Sequence, residues 1–296
     1  MEKELLNDLR GNNMIANPRI TYRKTKSNAF QVLVYVLAFM ITLPLIAIII
    51  YIFKEGVTNI NWHFLTNVPK PVGEIGGGIA NALVGSVIIV FVASVIAVPI
   101  GIMCGIYLSE NTSGKLSYWS RLAVDILQGI PSIVIGIVIY FWLVKPVGTF
   151  SAISGSVALS IMMLPIIIRS TEETLKLIPF SLKEAGLALG LPYHRVILKV
   201  IVPCGVSGIL SGVMLSVARI AGETAPLLFT AFGNPYLSAN IGKPMQSLPL
   251  LIFNYATSPY EDWHNLAWGA SLILLLWVLL LNIFTKLSTK RWNVQL

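Results

Sequence analysis

The chain has 296 residues, 55% of them hydrophobic and only 11% charged, with a mean hydropathy of +0.78 and a formal net charge of +8. Water-soluble domains carry about 25% charged residues, so this composition excludes an ordinary soluble enzyme or binding module and makes the bilayer the expected solvent. The two cysteines, Cys104 and Cys204, lie in or beside apolar runs and read as small buried apolar side chains, not as a disulfide framework.

A helix crosses the hydrocarbon core with roughly 20 apolar residues. Six stretches meet that requirement, from about Gln31 to Phe53, Ile79 to Leu108, Leu122 to Val144, Ile153 to Ile168, Gly205 to Phe229 and Leu266 to Phe284. The expected fold class is an all-α membrane protein of six transmembrane helices. Residues 1–30 read as an N-terminal tail, 31–286 as one transmembrane domain and 287–296 as a C-terminal tail. The polar N-terminus is no secretory leader, so the first span is expected to stay as an anchor.

Orientation follows from lysine and arginine. With both termini in the cytoplasm, the tails and inward loops hold sixteen of the 21 basic residues, from Lys3, Arg10 and Arg19 to Lys290 and Arg291. The outward loops hold four, Lys54, Lys70, Lys145 and Lys243, and Arg219 lies inside the fifth span. This bias accounts for the net charge without nucleic acid. The long outward loops, 54–78 and 231–264, contain Pro, Gly and Trp and suit short interfacial segments. Gly101 with Gly105, and Gly208 with Gly212, form GxxxG pairs that allow close helix packing. Gly76 to Gly78 read either as a hinge or as backbone amides open to an anion.

The inward segment from about 172 to 203 is long for a membrane connection. Ser181 with Glu184 has the capping-box spacing, Gly190 suits a helix C-terminus, and Pro192 suits the first turn of a second helix that ends before Pro203. Leu182, Ala185, Leu187 and Leu189 supply a stiff apolar surface. One reading is an amphipathic helix lying on the membrane. The other is a family resemblance. Glu184-Ala185-Gly186, three residues, Gly190, nine residues, then Val200-Ile201-Val202-Pro203 resembles the EAA loop of ABC importer permeases, with Val at 200 and 202 for the usual Ile and Leu. The resemblance implies the type I ABC importer permease fold, with this loop as a coupling helix on a cytoplasmic ATPase through Glu184, Ala185, Gly186, Gly190 and Pro203.

Ionisable residues inside a span are functional candidates by default. Arg219 and Glu223, four apart, are expected to pair on one helical face, with a break or kink at Thr224 and Pro226. Arginine suits an oxyanion, since its planar fork donates two parallel hydrogen bonds and stays charged. A structural ion pair is the other reading. Arg169, at the end of the fourth span, is either a second anion contact or an interfacial anchor, and Arg121 with Asp125 reads as an interfacial structural pair.

The run Ala218-Arg219-Ile220-Ala221-Gly222-Glu223-Thr224-Ala225-Pro226-Leu227-Leu228-Phe229-Thr230-Ala231 resembles the signature of the PstA-type permeases of phosphate importers. Gly129-Ile130-Pro131-Ser132-Ile133-Val134, Gly77-Gly78-Ile79 and Leu164-Pro165 with Arg169 also match. The resemblance covers most of the chain from Gly76 onward. It implies phosphate translocation past Arg169, Arg219 and Glu223, in the cytoplasmic membrane of a bacterium or archaeon. The implied partners are a PstC-type permease, a PstB-type ATPase dimer, a PstS-type phosphate-binding protein and a PhoU-type regulator. ATP and Mg would be held by the ATPase, since no Gly-x4-Gly-Lys-Ser/Thr motif occurs here. No catalytic or metal site is expected, since His63, His194 and His264 fall in loops without metal-ligand spacing. A permease for another oxyanion, a secondary anion transporter and a membrane-embedded enzyme are the alternatives. The second lacks a reason for the EAA-like spacing, and the third lacks a Gly-x-Ser-x-Gly or His-Glu-x-x-His motif.

Overall fold

The computed structural model describes residues 18–74 and 76–291. The expected tails lie outside them at residues 1–17 and 292–296. The chain divides into two compact units, Met1–Phe53 and Lys54–Leu296. Helix α1, Pro18–Val57, supplies the described part of the first and begins well before the expected span, with Pro44 inside it.

The second unit holds the remaining helices: α2 (Trp62–Thr66), α3 (Ala80–Glu110), α4 (Lys115–Gly129), α5 (Ser132–Val147), α6 (Ala152–Lys176), α7 (Phe180–Ala188), α8 (Tyr193–Ile220), α9 (Ala225–Leu228), α10 (Leu248–Ala256) and α11 (Glu261–Arg291). No strand occurs among the described residues; one isolated bridge joins Phe232 and Met245. Among the described residues five helices are long and apolar enough to cross a membrane, and there is a sixth crossing if α4 and α5 count as one span bent by 105°. The sequence reading gave that third span as about Leu122 to Val144, with no break in it. The bend falls at Pro131, which precedes α5 and lacks the amide that a continuous helix would need.

Helix α6 is the centre of the unit, and the two GxxxG pairs both face it. A Cβ on Gly101 would lie 2.7 Å from Ile167, and one on Gly105 2.5 Å from Thr171. On the adjoining face of α6, a Cβ on Gly208 would lie 2.4 Å from Thr174 and one on Gly212 2.0 Å from Ser170. The numbering rises together for α3 against α6 and runs oppositely for α8 against α6, so α3 is parallel to α6 and α8 antiparallel. Backbones this close gain dispersion contact that larger side chains would prevent.

Helix α8 is one continuous helix interrupted by a π-turn at Ile197–Ile201. The expected stop before Pro203 is therefore incorrect. The wider turn ends just before Pro203, which stands in the first turn of the next α segment, so the helix widens where the proline ring and its missing amide disturb regular α pairing.

The loop after α9 is exposed over much of its length but is tied to the unit by backbone hydrogen bonds and by the helix that follows it. Ser151, Ala152 and Ile153 donate backbone hydrogen bonds to Thr230, Lys243 and Ile241. Ser86 accepts from the Leu248 amide at 2.7 Å, and Leu248, Leu250 and Leu251 are fully buried. A Cβ on Gly78 would lie 2.5 Å from the Asn67 carbonyl oxygen, so close backbone approach is what requires glycine there. Both cysteines are free thiols; Cys104 is exposed on this chain, contrary to its expected burial, and Cys204 is half-buried.

Candidate functional site

Two interrupted helices meet around Arg219. Helix α8 ends at Ile220, and its last turn closes through Ala221 N–H to Val217 O at 3.0 Å and Glu223 N–H to Ile220 O at 3.1 Å. Short α9 follows, and Pro226 within it packs on α5, where a Cβ at Gly136 would lie 2.7 Å from Pro226 Cα. The break at the end of α8 thus stands beside the bend between α4 and α5. Broken helices inside a membrane are tolerated where their free backbone groups are covered by protein or line a cavity.

Arg219 Nε lies 3.9 Å from Glu223 Oε1, so the two form the expected ion pair, although not along one helical face. Glu223 is beyond the helix, brought back by the closing turn. The cation stands in the last turn of α8, where the helix dipole favours positive charge. One flank of Arg219 lines a cavity of about 20 Å³ with Gln128, Ile130, Met162, Pro165 and Ile166, room for a single water. The side chain as a whole is 57% exposed. Pro165 is eleven residues from the end of α6 at Lys176, which at 1.5 Å per residue puts Arg219 about 17 Å in from that end, about midway along the helix.

About two turns further along α6 stands a second charged group, centred on Glu172. Its side chain is 1% exposed. Its carboxylate accepts from Arg121 Nε at 2.8 Å, Lys176 Nζ at 2.6 Å and Arg169 Nη1 at 3.3 Å. Arg169 also donates through Nη2 to Asp125 on α4. The expected Arg121–Asp125 pair is therefore replaced by two cross-helix pairs. A neighbouring pair on one helix surface gains only a few tenths of a kcal/mol, whereas a buried carboxylate without cations would cost several. Arg121 additionally donates to the carbonyls of Leu108, Asn111 and Thr112 at 2.7, 3.1 and 3.2 Å, satisfying the end of α3. Sequence reading missed Glu172; its spacing of three from Arg169 and four from Lys176 was the available signal.

Helix α7 is held at an exposed end of the unit. Pro179 precedes it and no side chain caps it, so the Ser181–Glu184 capping box does not form. Its C-terminus closes as expected at Gly190 (φ +77°), with Gly190 N–H to Leu187 O at 2.9 Å and Leu191 N–H to Gly186 O at 3.4 Å, a Schellman pattern. Gly186 is buried against Val196, whose methyls would stand 3.1 Å from a Cβ, so a small residue lets α7 close on α8. Leu182 turns inward to the cluster of Leu175, Val196, Ile197 and Ile201, against the expectation that it faces out. Glu184, Ala185, Leu187 and Leu189 are exposed, joined by Leu177, Phe180 and Leu191, which sequence reading did not select. Pro203 stands apart from this surface, at the start of the second segment of α8.

Residues 97–294 match the family described as binding-protein-dependent transport system inner membrane component. The chain is 44% identical over 233 residues to the phosphate transport system permease protein PstA of Yersinia pestis, covering 78% of this chain and 79% of that protein. It is 40% identical to the PstA of Haemophilus influenzae, covering 92% and 96%, and 36% identical to a probable PstA of Methanocaldococcus jannaschii, covering 90% and 94%. Among solved structures, a chain of the MetNI methionine ABC transporter in an inward-facing conformation superposes with a TM-score of 0.61 at 19% identity, over 73% of this chain and 96% of that one.

Proposed function

The chain belongs to the PstA family of phosphate transport system permeases, within the binding-protein-dependent transport system inner membrane components, and from that premise we propose how it divides the work of transport. It is a multi-pass inner-membrane permease subunit of a phosphate ABC importer. In our reading, residues 31–286 form a six-span permease domain of the type I fold, with both termini in the cytoplasm, and α7 within residues 172–203 is its coupling helix. A PstC-type permease completes the path, a PstB-type ATPase dimer binds α7 and hydrolyses ATP with Mg, and a PstS-type binding protein delivers phosphate. A PhoU-type regulator is a further partner. This chain supplies no ATP-binding site and no covalent chemistry.

The observation that carries the reading is Arg219, a permanent cation set about midway through the bundle, where two helices are both interrupted. Its guanidinium can offer two parallel N–H donors to a phosphate oxygen pair. Glu223 keeps the empty site near neutral and weakens its hold on an anion, which transport requires for release. The open flank of Arg219 is not covered by its own unit, and in our reading the second permease supplies the opposite wall. Arg169, tied to Asp125 and Glu172, serves as the next cation on the route. At the other end, Glu184 stands amid exposed Phe180, Leu187 and Leu189, a small apolar surface with one charge, suited to a cleft on a protein partner.

Glu184→Arg tests the coupling role. The variant is expected to insert and fold, because Glu184 is exposed, but to lose ATPase co-purification or phosphate-stimulated hydrolysis. Wild-type stimulation in that variant would remove α7 as the ATPase contact.

A further inference from the structure

Glu110, the last residue of α3, lies where three elements meet. Its side chain is 11% exposed. Lys183 of α7 donates to both its carboxylate oxygens at 2.8 Å, and the Tyr193 hydroxyl at the start of α8 donates to Oε2. Lys183 is 18% exposed, so this pair is screened less by water than a surface pair.

The other contacts of α7 with the bundle are apolar, Gly186 on Val196 and Leu182 in its cluster. Apolar contact is non-directional and resists sliding weakly. A carboxylate held through both oxygens fixes distance and direction together. Glu110 is therefore the point at which a push on α7 passes to α3 without slack.

The route continues. Directly after Glu110, the carbonyls of Asn111 and Thr112, with that of Leu108, are gripped by Arg121. Arg121 is bound to Glu172, and Glu172 to Arg169. Each link from the exposed helix to the arginines is a charge-assisted hydrogen bond or a rigid turn of helix. Helix α3 also lies against α6 where Gly101 and Gly105 receive the side chains of Ile167 and Thr171 with no room for a Cβ, so displacing its end displaces α6, which carries Arg169.

We propose that Glu110 is a positioning residue that carries displacement of α7 to the end of α3 and through it to the arginine-lined path, making ATP hydrolysis and phosphate movement one event. The proposal rests on the reading of α7 as the ATPase-facing helix.

The test is ATP hydrolysed per phosphate moved by the whole complex in liposomes with binding protein, for wild type, Glu110→Gln, Lys183→Gln and the exchange Glu110→Lys with Lys183→Glu. Co-purification of the ATPase is measured for each. Both single variants are expected to keep their ATPase subunits yet spend about tenfold more ATP per phosphate, within the range of couplings such networks carry, and the exchange to recover most of the loss. Should Glu110→Gln fail to assemble, Lys183→Gln decides alone, because it leaves Glu110 bonded to Tyr193. A wild-type ratio in the deciding single variant overturns the proposal. So does a raised ratio that the exchange leaves unchanged, or loss of the ATPase from the deciding variant, which marks a merely structural contact. If Glu184→Arg keeps normal coupling in the same assay, the reading of α7 fails instead, and the two failures are distinguishable.

Discussion

Arg219→Gln is expected to give a complex that assembles and hydrolyses ATP but takes up phosphate about tenfold to a hundredfold more slowly. The magnitude follows from the loss of charged hydrogen bonds to the anion, each worth about 1.5–3 kcal/mol. Glutamine is shorter but keeps the stem carbons and one donor group, so packing around Met162, Pro165 and Ile166 is largely retained while the charge and the fork are lost. Arg219→Lys keeps the charge as a point donor without the planar fork and is expected to fall between the two. Glu223 supplies the opposite sign. Its removal in Glu223→Gln leaves Arg219 3.9 Å from a neutral amide, so phosphate is expected to bind more tightly and leave more slowly. Labelled-phosphate uptake in liposomes, with occupancy measured separately, distinguishes these outcomes. Wild-type uptake by Arg219→Gln would reduce the arginine to an ion pair holding the end of α8.

Glu172→Gln is expected to have the largest effect on stability, about 3–5 kcal/mol, the range for breaking a buried ion pair from one side. The side chain is 1% exposed and three cations converge on it. Glutamine fills the volume but leaves Arg121, Arg169 and Lys176 facing one neutral group. Arg169 and Lys176 are 27% and 42% exposed and can turn toward water, whereas Arg121 is 21% exposed and also fastened to the end of α3. Pairing Glu172→Met with Arg121→Met is therefore expected to recover part of the loss, since an apolar pair removes both buried charges together. Thermal unfolding of the purified complex measures this. A melting temperature unchanged in Glu172→Gln would mean that the cluster is wet and contributes little.

The spans were legible because hydropathy over about 20 residues is a property of the chain alone. The ends of α7 were partly legible for the same reason, since Gly190 is demanded by local backbone geometry. The GxxxG pairs were legible as packing surfaces, though not that both would close on α6. What escaped the sequence was set between elements. Arg121 and Asp125 have helical spacing, and only packing α4 against α6 reveals that each has a better partner on the other helix. Leu182 looked like a surface leucine in a short amphipathic helix, and its inward turn depends on the position of Val196 and Ile201. Pro131 and Pro203 are both prolines in apolar runs, yet one bends its span by 105° and the other follows a π-turn inside a continuous helix. Glu110 gave no signal at all, because its partners lie more than seventy positions away.

The most direct test of the central claim is phosphate uptake into liposomes by the purified complex with binding protein, measured with ATP, without ATP and with the ATPase subunits omitted. If this chain is half of an ATP-driven path, uptake against a gradient requires ATP and the ATPase, and both omissions abolish it. Phosphate that moves at the full rate with no ATPase present would contradict the account and make the chain a secondary transporter or channel.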